Sequence, residues 1–215
     1  MPITRRYACG DVEIVVWAIE ETSEQLSALL GDAVLSQQAS SFGSEARRAE
    51  WLAVRLLLRE ILGCSACIDY AADGKPFLVG ESGCISISHT RGFAALAFSR
   101  ARPMGLDIEL VTRKVGIARS FVIKESEYCT IPLEQRDAYM LLRWTACEAL
   151  YKLAGGCGYR ERLSMPVFAP ARAGTFCVSL QGDAHSVFSV GYNFDDGLLL
   201  ALCVEGENAA LPLRV

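Results

Sequence analysis

At 215 residues, with 52% hydrophobic and 21% charged side chains, the chain has the make-up of an ordinary globular protein, long enough for one large domain or two small ones. A formal net charge of −4 argues against a generic nucleic-acid binder, so any anionic ligand must be gripped by local basic residues. No run reaches the length of a membrane span, and residues 1–20 lack the basic start, apolar centre and cleavage site of a signal peptide, which points to a cytoplasmic protein.

The first predicted strand is Val12 to Ile19, followed by a helical region from Ser23 to about Ser41. Ser44 to Leu62 reads as a strong helix: Ser44 can cap it, Trp51, Val54, Leu58 and Ile61 recur at helical spacing, and Gly63 ends it. Cys64 and Cys67 follow as a lone CxxC. A thioredoxin-like site wants that motif opening a helix, and a zinc site wants a second ligand pair that two distant histidines hardly supply, so its role is structural or incidental. The nine cysteines are odd in number and scattered through apolar segments, as Cys84, Cys177 and Cys203 are, which fits reduced core thiols. Asp73 and Gly74 mark a turn before KPFLV, and strands follow at CISIS, FAALAFS and MGLDIEL.

The second half begins with a region from Ile117 to Cys129, then a long helix from about Leu133 to Leu153. Strands come at Phe176 to Leu180, Val187 to Asn193 and Leu198 to Val204, the last two joined by an Asp196-Gly197 hairpin turn. Each half is a long helix followed by about three strands, as expected where a helix covers one face of an antiparallel sheet. The expected fold is therefore α+β: two similar halves, residues 1–104 and 105–215, each a long helix on a small antiparallel sheet, forming a pseudo-dimer within one chain.

Within GLDIEL, successive side chains of an extended strand point to opposite faces, so Asp107 and Glu109 share one face and Leu106, Ile108 and Leu110 the other. Two acids that close repel, and each resists losing its water unless a cation or a proton compensates. A divalent metal is one candidate; a half-exposed strand whose polar face meets solvent is the plainer alternative. The long helix carries RWTACEALYK, and an advance of about 100° per residue puts Trp144, Glu148, Tyr151 and Lys152 on one side. Glu148 could complete a three-carboxylate, hard-oxygen site for Mg²⁺, or merely pair with Lys152 one turn on.

Together, GLDIE and WTACEALYK resemble the paired signature of the Sfp-type 4′-phosphopantetheinyl transferases, a G-[IVL]-D-x-E strand and a W-x-x-x-E-x-x-x-K helix. GKPFL at Gly74 to Leu78 and SISHT at Ser86 to Thr90 look like the two upstream motifs of that family. FVIKESE at Phe121 to Glu127 is similar to its F-x-x-x-E segment, and Arg47 to Leu62 to its first long helix. The matches run in family order from about Arg47 to Lys152, half the chain.

The resemblance implies an enzyme that transfers the 4′-phosphopantetheine arm of coenzyme A to a serine of an apo acyl or peptidyl carrier protein, releasing adenosine 3′,5′-bisphosphate. It implies Mg²⁺ held by Asp107, Glu109 and Glu148, with Glu148 or Lys152 handling the serine proton. For coenzyme A it implies contacts from Lys75, from Ser88 and His89 in SISHT, and from Arg47 or Arg48 to the 3′-phosphate. Arg48, Arg55 and Arg59 fall in a narrow arc of the first helix, a stripe that is otherwise an ordinary solvated face. His89 is expected in the turn after CISIS. The active site is expected in the crevice between the halves, complete within a monomer, with no nucleic acid and no membrane as partner. Rival readings are a different Mg²⁺-dependent phosphotransferase or nuclease, and a non-catalytic homologue that binds coenzyme A or a carrier protein. One departure stands out: many members carry lysine immediately before the helix glutamate, and here it is Cys147. About 100° from Glu148, Cys147 is expected beside the metal face, where Cys147→Lys would strengthen coenzyme A binding; the alternative is a core position, where the buried ammonium would destabilise the protein.

Overall fold

Strand propensity at the start of the chain is diluted by Thr4, Arg5 and Arg6, yet in a computed structural model it forms strand β1 (Ile3–Cys9), paired antiparallel with β2 (Val12–Ala18). The structure describes residues 3–63, 66–113, 125–155, 162–181, 183–206 and 213. They fall into two compact units, which divide between Arg102 and Pro103. The architecture is α+β, and among the described residues no helix is long and apolar enough to cross a membrane.

In the first unit, the helical region after β2 is two helices, α1 (Ser23–Leu30) and α2 (Ala33–Ser40). The break has a local cause. Gly31 takes a left-handed conformation with φ 65° to close α1, and the next residue, Asp32, accepts from the Val34 and Leu35 amides to start α2. Helix α3 (Glu45–Leu62) begins as the sequence predicts, with Ser44 accepting from the Arg47 amide. It lays Leu52, Ala53 and Leu57 on Val15, Trp17, Ala94 and Leu96 of a four-stranded antiparallel sheet. Strand order there is β1-β2-β6-β5, with β5 at Cys84–Thr90 and β6 at Phe93–Ser99. Strands β3 (Cys67–Tyr70) and β4 (Pro76–Val79) form a separate hairpin. Cys67 is exposed on β3, and Cys64 lies outside the described residues. The unit thus has strands before its long helix as well as after it.

In the second unit, β7 (Gly105–Leu110), β8 (Leu163–Ser164), β9 (Ala173–Leu180), β10 (Asp183–Asp195) and β11 (Leu198–Glu205) make a five-stranded sheet, order β7-β11-β10-β9-β8. The Asp196-Gly197 turn has φ of 43° and 78°, the left-handed pair that a tight hairpin requires. A short helix α4 (Glu125–Tyr128) precedes α5 (Arg136–Ala154); the rest of the segment expected from Ile117, including Phe121 to Lys124, lies outside the described residues. Helix α5 packs Ala146, Ala149, Leu150 and Leu153 with Leu199, Ala201 and Cys203 of β11, and Tyr139 with a cluster of Phe168, Phe176 and Tyr192.

Cys147 corrects the sequence reading. It is 2% exposed and belongs to this core, because α5 turns that side of its circumference, with Ala146 and Leu150, toward the sheet. It lies close enough to Cys203 for the two to interact, and burial pushes the Cys203 thiol up, with Cys147 adding to the effect. Cys147→Lys therefore places an ammonium among apolar side chains rather than beside a phosphate. It should lower stability by about 3–5 kcal/mol, seen as a fall in the urea midpoint, without tightening coenzyme A binding.

Candidate functional site

Strand β7 is buried from Gly105 to Glu109, so the plain picture of a strand half open to solvent does not hold. Asp107 is 6% and Glu109 5% exposed. The face they share is the one that meets α5, and Gly105 makes that meeting possible. A Cβ at Gly105 would collide with the Ala149 carbonyl and lie 2.8 Å from the Leu153 amide nitrogen, so only glycine lets helix and strand backbones approach this closely.

That approach sets the polar contacts. Lys152 Nζ donates to Asp107 Oδ1 and to the Leu106 carbonyl, both at 2.8 Å. One acid along, the Trp144 indole N–H donates to Glu109 Oε1 at 3.2 Å. Arg113, three residues beyond the end of β7, pairs with the same Glu109 oxygen while its guanidinium lies 5.0 Å from the Trp144 ring centroid. The cations that the buried acids demand thus include Lys152 and Arg113 of the chain itself. Glu109, first through its hydrogen bond and then through its charge, holds the Arg113 guanidinium above its ordinary value; partial burial opposes this, and Asp107 and Glu148 reinforce it. Glu148 is half-buried on α5, one turn before Lys152, and its charge reaches Arg113. Arg113 gave no signal in the motif reading. Its clue was its position, four residues after Glu109, where a long cation can fold back onto the acid.

In the first unit, His89 lies within β5 rather than in the turn after it, paired with Ala94 of β6. Strand alternation sends it to the same side as Ile87, which packs on the core under α3. There its Nε2 sits 2.6 Å from an Arg47 guanidinium nitrogen and its Nδ1 3.3 Å from Glu50 Oε2. Ser88 points to the opposite face of β5 and is buried, so the SISHT pair is not brought to one place. Lys75 is exposed in the turn closed by the Gly74 amide on the Ala71 carbonyl.

The arginines of α3 do not form one solvated stripe. Arg48 donates to the Phe42 carbonyl at 2.8 Å and pairs with Glu45, while Arg59 reaches the Leu30 carbonyl at 2.8 Å. Arg55 is buried, its guanidinium 3.4 Å from the Trp51 ring centroid, and desolvation lowers its affinity for its proton. Arg47 is left as the exposed member of the helix's first turns, beside His89.

No protein-family model matches the chain. Among curated proteins, the 4′-phosphopantetheinyl transferase AcpT of Salmonella typhimurium is 29% identical over 192 residues, 86% of this chain and 90% of that protein. AcpT of Salmonella typhi is 28% identical over the same coverage. The 4′-phosphopantetheinyl transferase HetI of a Nostoc species is 29% identical over 164 residues, 66% of this chain and 69% of its own length. The resemblance seen in the motifs thus extends over most of the chain.

The contact between Lys152 and Asp107 can be measured by itself. Lys152→Met strips a buried carboxylate of its ammonium, and should cost about 3 kcal/mol, tempered because 27% of the lysine side chain is exposed. Adding Asp107→Asn to Lys152→Met should recover part of that loss in urea unfolding. Strictly additive losses would show that the two groups are not coupled.

Proposed function

We infer that this chain, an enzyme of the 4′-phosphopantetheinyl transferase class, moves the 4′-phosphopantetheine arm of coenzyme A onto a serine hydroxyl of an apo acyl or peptidyl carrier protein and releases adenosine 3′,5′-bisphosphate. One observation carries the reading. The strand acids Asp107 and Glu109 meet Trp144 and Lys152 of α5 across the Gly105 contact, so the motif residues face one another rather than merely recurring in sequence.

The donor set fits Mg²⁺. Asp107, Glu109 and Glu148 offer hard carboxylate oxygens, and the two on β7 are drawn to cations strongly enough to hold Lys152 and Arg113. Among the described residues no three acids, histidines or cysteines stand close enough together to hold a metal ion, so the Mg²⁺ reading rests on the donor chemistry of these carboxylates. Mg²⁺ is commonly held by one or two carboxylates and keeps positions for water and phosphate oxygens. Bound there, it would neutralise pyrophosphate charge and stabilise the departing phosphate.

The chain's own groups divide the remaining work. A neutral hydroxyl must attack phosphorus flanked by anionic oxygens, so placement and charge supply most of the catalysis. Lys152 already donates to Asp107 and to a backbone carbonyl; an ammonium so engaged holds a proton rather than accepting one. Its part is to anchor Asp107 and offset charge. Glu148, an acceptor on the same helix face, takes the serine proton. In the first unit Arg47 and His89 supply phosphate contacts, with Lys75 in the exposed GKP turn as a further one.

The finer features belong to the same proposal. The pseudo-dimer is supported by the plan of each unit, a long helix on an antiparallel sheet. A cytoplasmic monomer is supported by the thiol state of Cys67, Cys84, Cys177 and Cys203 and by a motif set complete within one chain.

Incubation with coenzyme A, Mg²⁺ and a panel of apo carrier proteins should add one phosphopantetheine arm to at least one carrier, read by mass spectrometry. No mass gain across fatty-acid, polyketide and nonribosomal-peptide carriers overturns the reading. Glu148→Ala should lower kcat by about 10²–10⁴-fold with the fold intact. Chelation should abolish transfer and added Mg²⁺ or Mn²⁺ restore it.

A further inference from the structure

We propose that Glu50 is a positioning residue for phosphoanion binding: it fixes His89 so that Nε2 and the Arg47 guanidinium present to the same anion. The inference rests on the reading above, since the anion is a phosphate of coenzyme A. Glu50 lies within the helix, Arg47 to Leu62, that resembles the family's first long helix, but the motif reading gave it no role.

The arrangement follows from which groups can donate. Arginine is only ever a donor, so at 2.6 Å the His89 Nε2 must be the acceptor. The imidazole proton is then on Nδ1, which faces Glu50 Oε2 at 3.3 Å. Arg47 also lies 3.7 Å from that carboxylate, one helical turn back on α3. Exposure separates the roles: the Glu50 side chain is 15% exposed, against 44% for Arg47 and 41% for His89. The acid sits beneath and the two donors above it.

A carboxylate so close to an anion site is unfavourable unless it serves the donors, and its depth keeps it from meeting the ligand directly. An arriving phosphate oxygen takes over the Arg47 N–H that Nε2 accepts. Nε2, no longer accepting from Arg47, can then take a proton from solvent and donate it to the phosphate, while Nδ1 stays turned to Glu50. With Glu50 absent, the ring is free to turn about χ2 and the grip loses its preset direction.

The test is calorimetric titration of the full chain with coenzyme A, joined to steady-state kinetics. Glu50→Ala should weaken coenzyme A binding about tenfold, the scale of one charge-assisted contact, with the loss appearing in KM. Glu50→Gln keeps an acceptor of the same size and should lose less, and it serves as the working variant if Glu50→Ala does not fold. The decisive comparison is His89→Ala with and without Glu50→Gln: if Glu50 acts through His89, the second change adds nothing. Binding equal to wild type in Glu50→Gln and Glu50→Ala, or losses that multiply in the double variant, overturns the inference while leaving the transferase reading intact. A wild-type chain that gives no heat with coenzyme A overturns both.

Discussion

A missing side chain at Gly105 lets the α5 backbone ride directly on β7, and the second unit's polar site is a consequence of that distance. With the helix this close, Lys152 spans to Asp107 and to the Leu106 carbonyl, while Trp144, about two turns earlier, meets Glu109 two residues on. Any Cβ at Gly105 must push the two elements apart. The cost would fall twice, on packing in the core that Ala149 and Leu153 share with β11, and on hydrogen bonds whose lengths leave little slack.

The charges that result are handled by planar cations and aromatic faces. Arg113 lies over Trp144, Arg55 over Trp51 and Arg47 over Phe42, at 5.0, 3.4 and 5.6 Å from the ring centroids. A guanidinium seated on a ring keeps its N–H edge for acceptors, which a lysine ammonium cannot do with the same directionality. In Arg113 the edge serves Glu109, in Arg47 it serves His89, and in Arg55 it serves the Trp51 carbonyl. The same device therefore braces the polar clusters around Glu109 and His89 and a structural clamp in the first unit's core.

What the sequence revealed depended on how local each cause is. The period of two in GLDIEL and the four-residue step from Trp144 to Glu148 to Lys152 are backbone geometry, so spacing alone could place the acids on one strand face and the helix residues on one helix side; that the two faces belong together came from the family resemblance. Ser44, Gly63 and Asp196-Gly197 were legible for the same reason, because caps and tight turns are settled within a few residues. The misreadings concern what lies across from a residue. Cys147 is one step from Glu148 on the helix, and only the position of β11 decides that it is core. Arg55 looked solvated by type, yet Trp51 and Tyr70 enclose it. β1 was missed because Arg5 and Arg6 break its apolar pattern, and pairing with β2, rather than propensity, holds it extended.

The indole of Trp144 has one more property that follows from its place. Its N–H is tied to Glu109 and its face to Arg113, so any ligand that claims that carboxylate must also change the electrostatic surroundings of the ring. The other two tryptophans, Trp17 and Trp51, sit in the first unit's core. Emission from Trp144 should therefore respond to any change at Glu109, which makes the indole an intrinsic optical gauge of the acidic face that needs no label.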